Sequence, residues 1–179
     1  AGSIGDDPTA LTAAGAALSI SGDQERATTF VEKALALDPN NAWAWARFGW
    51  IANYKGQPEH AAERFTRAMA LSPADPFAFN MNMGFAWSLA MAGSFPEAIA
   101  IARAIIGRNP EVSWSYRMLA AWSAMSGDLD TARWAAQRLL KAEPGFTIAW
   151  YRSRPLFHNV PQWADRMADA LRQAGLPEG

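Results

Sequence analysis

The sequence predicts an all-α chain of stacked helical hairpins, and three observations predict it. Gly22, Gly56, Gly93 and Gly127 are each followed five residues later by alanine, at Ala27, Ala61, Ala98 and Ala132. Twelve residues beyond each alanine stands a proline, at Pro39, Pro73, Pro110 and Pro144, so the triplet recurs at steps of 34, 37 and 34 residues. Between these marks the apolar residues fall at i, i+3, i+4 and i+7, as in Trp45, Phe48, Gly49 and Ala52. Recurrence at such a period marks an internal repeat.

Each residue type suits its place. The glycine sits where one helix stops and the chain reverses, in a left-handed backbone conformation that costs glycine nothing. The alanine lies early in the next helix, where a small side chain lets two helices approach closely. The proline closes the unit, since it lacks an N–H and restricts the residue before it.

The elements follow in order. Asp7 as N-cap and Pro8 at the first helical position open a helix running to Ile20. Its partner spans Asp23 to Leu37; Ala42–Tyr54 and Pro58–Leu71 form the second pair. Asp75 and Pro76 repeat the cap-plus-proline device, so the three extra residues in the 37 step lengthen the start of a helix running from Pro76 to Met91. Ser94 and Glu97 have capping-box spacing and open a helix ending near Gly107. Ser113–Met125 and Leu129–Lys141 make the fourth pair. After Pro144 a fifth helix starts, carries Trp150 and is cut short by Pro155. The stretch from Pro161 to Ala174 is amphipathic: Trp163, Met167 and Leu171 share one face, and Asp165, Arg166, Asp169 and Arg172 the other. It is expected to cover the last repeat. The expected organisation is an extension at 1–7, four repeats at 8–41, 42–75, 76–112 and 113–146, and a partial fifth repeat with cap at 147–179.

This pattern resembles the tetratricopeptide repeat, whose consensus sets a first aromatic, a Leu, small residues, a second aromatic and a final proline. The segment from Ala42 to Asp75 carries it nearly throughout: Trp45, Phe48, Gly49, Ala52, Gly56, Ala61, Phe65, Ala68 and Pro73. The other units match less fully, with Asn82 at the first aromatic position of the third and Ala102 and Ala136 at the second aromatic position of the last two. The resemblance implies a right-handed superhelical solenoid whose first helices line a concave face.

Composition excludes several classes. The chain is 50% hydrophobic and 18% charged, with a mean hydropathy of −0.12. It is too apolar for disorder, and no apolar run approaches the roughly 18 residues of a membrane span. Sixteen Lys and Arg against 17 Asp and Glu give a net charge of −1, which argues against nucleic acid as partner. Without cysteine there is no disulfide framework, and a cytoplasmic setting is expected. The chain opens on Ala1 without a signal-like segment, which predicts a domain excised from a longer protein. The weakly apolar helix from Pro8 to Ile20 predicts that something packs upstream of it, and the amphipathic last helix predicts a natural C-terminal end.

Binding is expected on the first helix of each hairpin. At about 100° per residue, Trp43 and Trp50 are nearly eclipsed while Trp45 points about 200° away. Trp43, Trp50, Asn53 and Tyr54 therefore form one stripe; Met83, Trp87 and Met91 continue it in the third unit, Trp114, Arg117 and Met125 in the fourth, and Tyr151 beyond. As an exposed strip this would be a large aromatic and methionine-rich surface for a protein or peptide, best an apolar or amphipathic segment. Trp50 and Trp87 are the leading candidates, and the competing expectation is that several of these residues pack between repeats. Where chaperone-binding relatives clamp a carboxylate, this chain has Ala46, Trp50, Met83, Trp87, Arg117 and Ala121, and only Arg117 could serve.

Nothing in the sequence points to catalysis or a cofactor. His60 and His158 have no metal-ligand partner at a recognised spacing; Asp6, Asp7, Asp128 and Asp130 read as turn and cap residues; no glycine-rich phosphate loop is present. The segments from Gly49 to Pro73, Asp75 to Asn82, and above all Ala164 to Glu178 (ADRMADALRQAGLPE) resemble the C-terminal repeats of multidomain alphaproteobacterial class III adenylate or guanylate cyclases. That resemblance implies a non-catalytic regulatory or recruitment module. Self-association, intramolecular docking and small-ligand sensing are the alternative roles.

Overall fold

The computed structural model describes residues 7–179; the expected extension before Asp7, Asp6 included, lies outside the described residues. Ten α-helices follow one another, with no strand among the described residues. They are α1 (Pro8–Ile20), α2 (Gln24–Leu37), α3 (Ala42–Tyr54), α4 (Pro58–Leu71), α5 (Ala78–Met91), α6 (Phe95–Arg108), α7 (Ser113–Met125), α8 (Leu129–Ala142), α9 (Ile148–Arg152) and α10 (Pro161–Gln173), with a 3₁₀ turn at Pro155–Phe157. The chain divides into two compact units between Ser88 and Leu89, inside α5.

The triplet residues act as their chemistry requires. Gly22, Gly56, Gly93 and Gly127 all have φ between 72° and 92°, the left-handed region that favours glycine. Ala27, Ala61, Ala98 and Ala132 are each 0% exposed. The residues before the prolines, Asp38, Ser72, Asn109 and Glu143, are helix C-caps whose φ lies between −138° and −129°. Proline disfavours the helical region for its predecessor, which stops the helix.

In the first unit α1 pairs with α2 and α3 with α4, and α3 packs on α1 and α2. Leu11, Val31, Leu35 and Ile51 form the core between them. Phe65 of α4 fills the space beside Gly49 of α3 and Gly84 of α5. A Cβ at Gly49 would lie 2.8 Å from its ring and one at Gly84 only 2.2 Å, so both glycines are there for close approach. Arg64 of α4 lies 3.4 Å over the ring of Phe48 and donates to its carbonyl at 3.2 Å. Burial lowers the Arg64 pKa, an effect partly offset by Glu32 and Glu63.

In the second unit α7 packs on α6, α8 and α10. Trp122, Met118 and Leu119 of α7 and Leu139 of α8 are fully buried there. The five-residue α9 is stabilised by the chain end. Its first two N–H groups, of Ile148 and Ala149, donate to the carbonyls of Pro177 (2.9 Å) and Glu178 (2.8 Å). The next two, of Trp150 and Tyr151, donate to the Thr147 hydroxyl and carbonyl. The donors that a helix start leaves open on Ile148, Ala149 and Trp150 are thereby satisfied, and the Tyr151 N–H makes the first bond within the helix. The tail is held by Arg172, whose Nε and a terminal nitrogen reach the two Glu178 oxygens at 2.9 and 3.1 Å. Gly175 turns the chain back at φ 89°, and Leu176 is buried.

Two local expectations need correction. The three extra residues of the 37 step were expected to lengthen the start of the third unit's first helix. Instead α5 starts at Ala78, five residues after Pro73, where α3 and α7 start three after Pro39 and Pro110. With α5 one residue longer than α3 and α7, two extra residues go to the turn and one to the helix. The Asp75 carboxylate accepts the Phe77 N–H at 2.7 Å, which makes Asp75–Phe77 a turn. Ser94 is the N-cap of α6 but makes no side-chain cap bond; Pro96, the second helical residue, lacks one of the two N–H groups that such a hydroxyl caps.

Candidate functional site

The first unit has a groove of about 410 Å³ between α3, the turn before α5, and the first half of α5. Trp43, Ala46 and Arg47 line it from α3, Asp75 and Phe77 from the turn, and Phe79, Asn80 and Met81 from α5. Trp43 is 38% and Phe77 68% exposed, and the Phe77 and Phe79 rings lie 6.1 Å apart. A volume of this size and an aromatic lining with few polar groups are typical of ligand pockets.

The polar groups are few and specific. Asn80 Oδ1 accepts from an Arg47 terminal nitrogen at 2.6 Å and from Trp50 Nε1 at 3.0 Å. Burial pushes the Arg47 pKa below its ordinary value, with a smaller opposing effect from Tyr54. Arg47 makes no ion pair among the described residues.

The predicted stripe divides by depth. Trp43 alone among its residues stands exposed in this groove. Trp50 and Trp87, expected to lead the exposed strip, are each 4% exposed. Trp50 stacks on Tyr54 (5.9 Å) and meets Phe65 (5.6 Å) and Trp87 (5.7 Å) edge-on, and Tyr54 meets Trp87 at 6.0 Å. These aromatic contacts make the cluster core, not rim. Asn53 is buried too, donating to the Gly84 carbonyl at 2.9 Å, and Met83 is fully buried.

In the second unit the expected strip residues are likewise set inward. Tyr151 is buried against Phe157 (4.9 Å) and Phe146 (6.4 Å), and the Arg117 guanidinium lies 5.1 Å over its ring. Met91, Trp114, Arg117 and Met125 are half-buried. The sequence reading missed Arg47, Phe77, Phe79 and Met81. Arg47 carried a signal, since it follows Trp43 by one helical turn; Phe77 lay inside the three-residue excess.

Residues 30–63 match the sequence family described as Tetratricopeptide repeat. A crystal structure of PilW, a widely conserved type IV pilus biogenesis factor, superposes with a TM-score of 0.72 at 17% identity, covering 94% of this chain and 75% of that one. This is the tetratricopeptide-repeat fold. MamA from Desulfovibrio magneticus RS-1 shares it at TM-score 0.64 and 24% identity, over 78% of this chain and 77% of that chain. YrrB, described as a TPR protein with an unusual peptide-binding site, shares it at TM-score 0.59 and 19% identity, over 94% and 85%. No curated protein matches the sequence. At these identities the tetratricopeptide-repeat structures speak for the fold alone. No helix of the described residues is long and apolar enough to cross a membrane.

Proposed function

We propose that this chain is a non-catalytic, cytoplasmic scaffold that binds a protein or peptide, with the groove beside Trp43 and Phe77 as its contact surface. The observation that carries the reading is Phe77. A phenylalanine 68% exposed at the lip of an aromatic groove, beside a half-open tryptophan, offers apolar area that an incoming apolar or amphipathic segment would bury. The repeat divisions at 8–41, 42–75, 76–112 and 113–146 belong to this proposal, with 42–75 and 76–112 supplying the groove. The YrrB structure adds support, since a peptide-binding site is described there on the same fold. The resemblance of the Ala164 to Glu178 segment to cyclase-associated repeats supports placing the module in a larger signalling protein, as a regulatory or recruitment part.

Affinity capture from a bacterial lysate, comparing the wild-type chain with a Trp43→Ser/Phe77→Ser variant, tests the reading. A protein retained by the first and lost by the still-folded second is the expected result. Equal capture by both removes the groove from the account. A sedimentation mass that doubles with concentration, and does so only in the wild type, would instead make the groove a self-association surface.

A further inference from the structure

The geometry points to a specific occupant: we infer that Arg47 anchors the side-chain carboxylate of an Asp or Glu set between apolar residues of the bound segment. This rests on the peptide-binding reading above and names its ligand chemistry. The Arg47 guanidinium is a largely buried cation whose pKa burial lowers. Its Nε is buried without a hydrogen-bond partner, and it has no ion pair among the described residues. Such a charge is costly to bury unpaired, and the fork geometry of guanidinium matches a carboxylate.

The surroundings narrow the choice. Asn80 Oδ1 satisfies one Arg47 nitrogen and is shared with Trp50, so it leaves donors for another acceptor. Asp75 lines the same groove, but its carboxylate accepts the Phe77 N–H and makes no ion pair with Arg47. With that negative charge near, a monoanionic carboxylate fits better than a dianionic phosphate. The apolar lining comes from α3, the turn and α5 together, so a chain passing through the groove uses all of it, whereas a chain end uses part. An internal Asp or Glu is therefore favoured over a terminal carboxylate.

The test is selection of random peptides displayed on phage ahead of the coat protein, where none has a free α-carboxylate. Enriched sequences are resynthesised with amidated ends. Their Kd is measured against the wild-type chain, Arg47→Gln and Phe77→Ser, with circular dichroism to establish folding. The expected result is an acidic residue flanked by aromatic or aliphatic ones. Binding should weaken about 10- to 100-fold when that residue becomes its amide, with no further loss on Arg47→Gln. The amide change is made on the peptide, so it reads the contact even if Arg47→Gln does not fold. Peptides lost on Phe77→Ser but indifferent to the amide change would overturn the carboxylate anchor and leave the groove reading standing. No enrichment, or peptides indifferent to Phe77→Ser, would overturn both.

Discussion

Trp43 and Trp50 lie seven residues apart on one face of α3, yet one is 38% exposed at the rim of a groove and the other 4% exposed in an aromatic cluster. The difference lies in what α5 and the turn before it bring to each. Trp50 meets Trp87 on α5 and Phe65 on α4. Trp43 shares the groove with Asp75–Phe77, which the two extra turn residues supply. Helical period therefore sets the direction in which a side chain points, while depth depends on where the next element begins.

The largest expected effect lies on the buried side. Phe65→Ala removes a fully buried ring wedged between Gly49 and Gly84 and should cost about 3–5 kcal/mol in urea denaturation. Gly84→Ala attacks the same contact from the other helix. Its new methyl would lie 2.2 Å from Phe65, and overpacking should cost about 1–3 kcal/mol; an unchanged melting curve would mean that the ring has room to move.

Exposed groove residues should behave oppositely. Phe77→Ser should change stability by less than about 0.5 kcal/mol while weakening any groove ligand, so a large stability loss would place Phe77 in the core.

The tail should show the smallest effect, and one that depends on pH. Hydrogen bonding to Arg172 holds the exposed Glu178 carboxyl below its usual pKa. A carboxylate with a lowered folded-state pKa contributes stability above its unfolded value and loses it as pH falls through the folded one. Glu178→Gln should therefore melt slightly below wild type near neutral pH, and the two curves should converge in acid beneath the ordinary glutamate range. Coincident curves already at neutral pH would assign the tail's hold to the Pro177 and Glu178 carbonyls capping α9, which both proteins share.

Much of the fold was legible in the sequence because its signals are local. Gly22, Gly56, Gly93 and Gly127 need positive φ, each proline constrains its predecessor, and the alanines mark close contacts, so helix ends could be read to within a residue or two. The groove was not legible, because it depends on a turn whose extra residues could equally have extended α5, and on an arginine whose lack of an acidic partner among the described residues only tertiary structure reveals. The tail shows a third case. Its LR-x-AGLPE string reads as a family signature, yet Leu171, Arg172, Gly175, Leu176, Pro177 and Glu178 each have a local structural role in burial, turning, pairing or capping.

The most direct test of the depth difference on α3 is a paired urea denaturation of Trp50→Ala and Trp43→Ala. Trp50→Ala should lose about 3–5 kcal/mol, as expected for a buried aromatic, and Trp43→Ala about 1 kcal/mol. Equal losses, or a larger loss at Trp43, would contradict the assignment of Trp50 to the core and Trp43 to the rim.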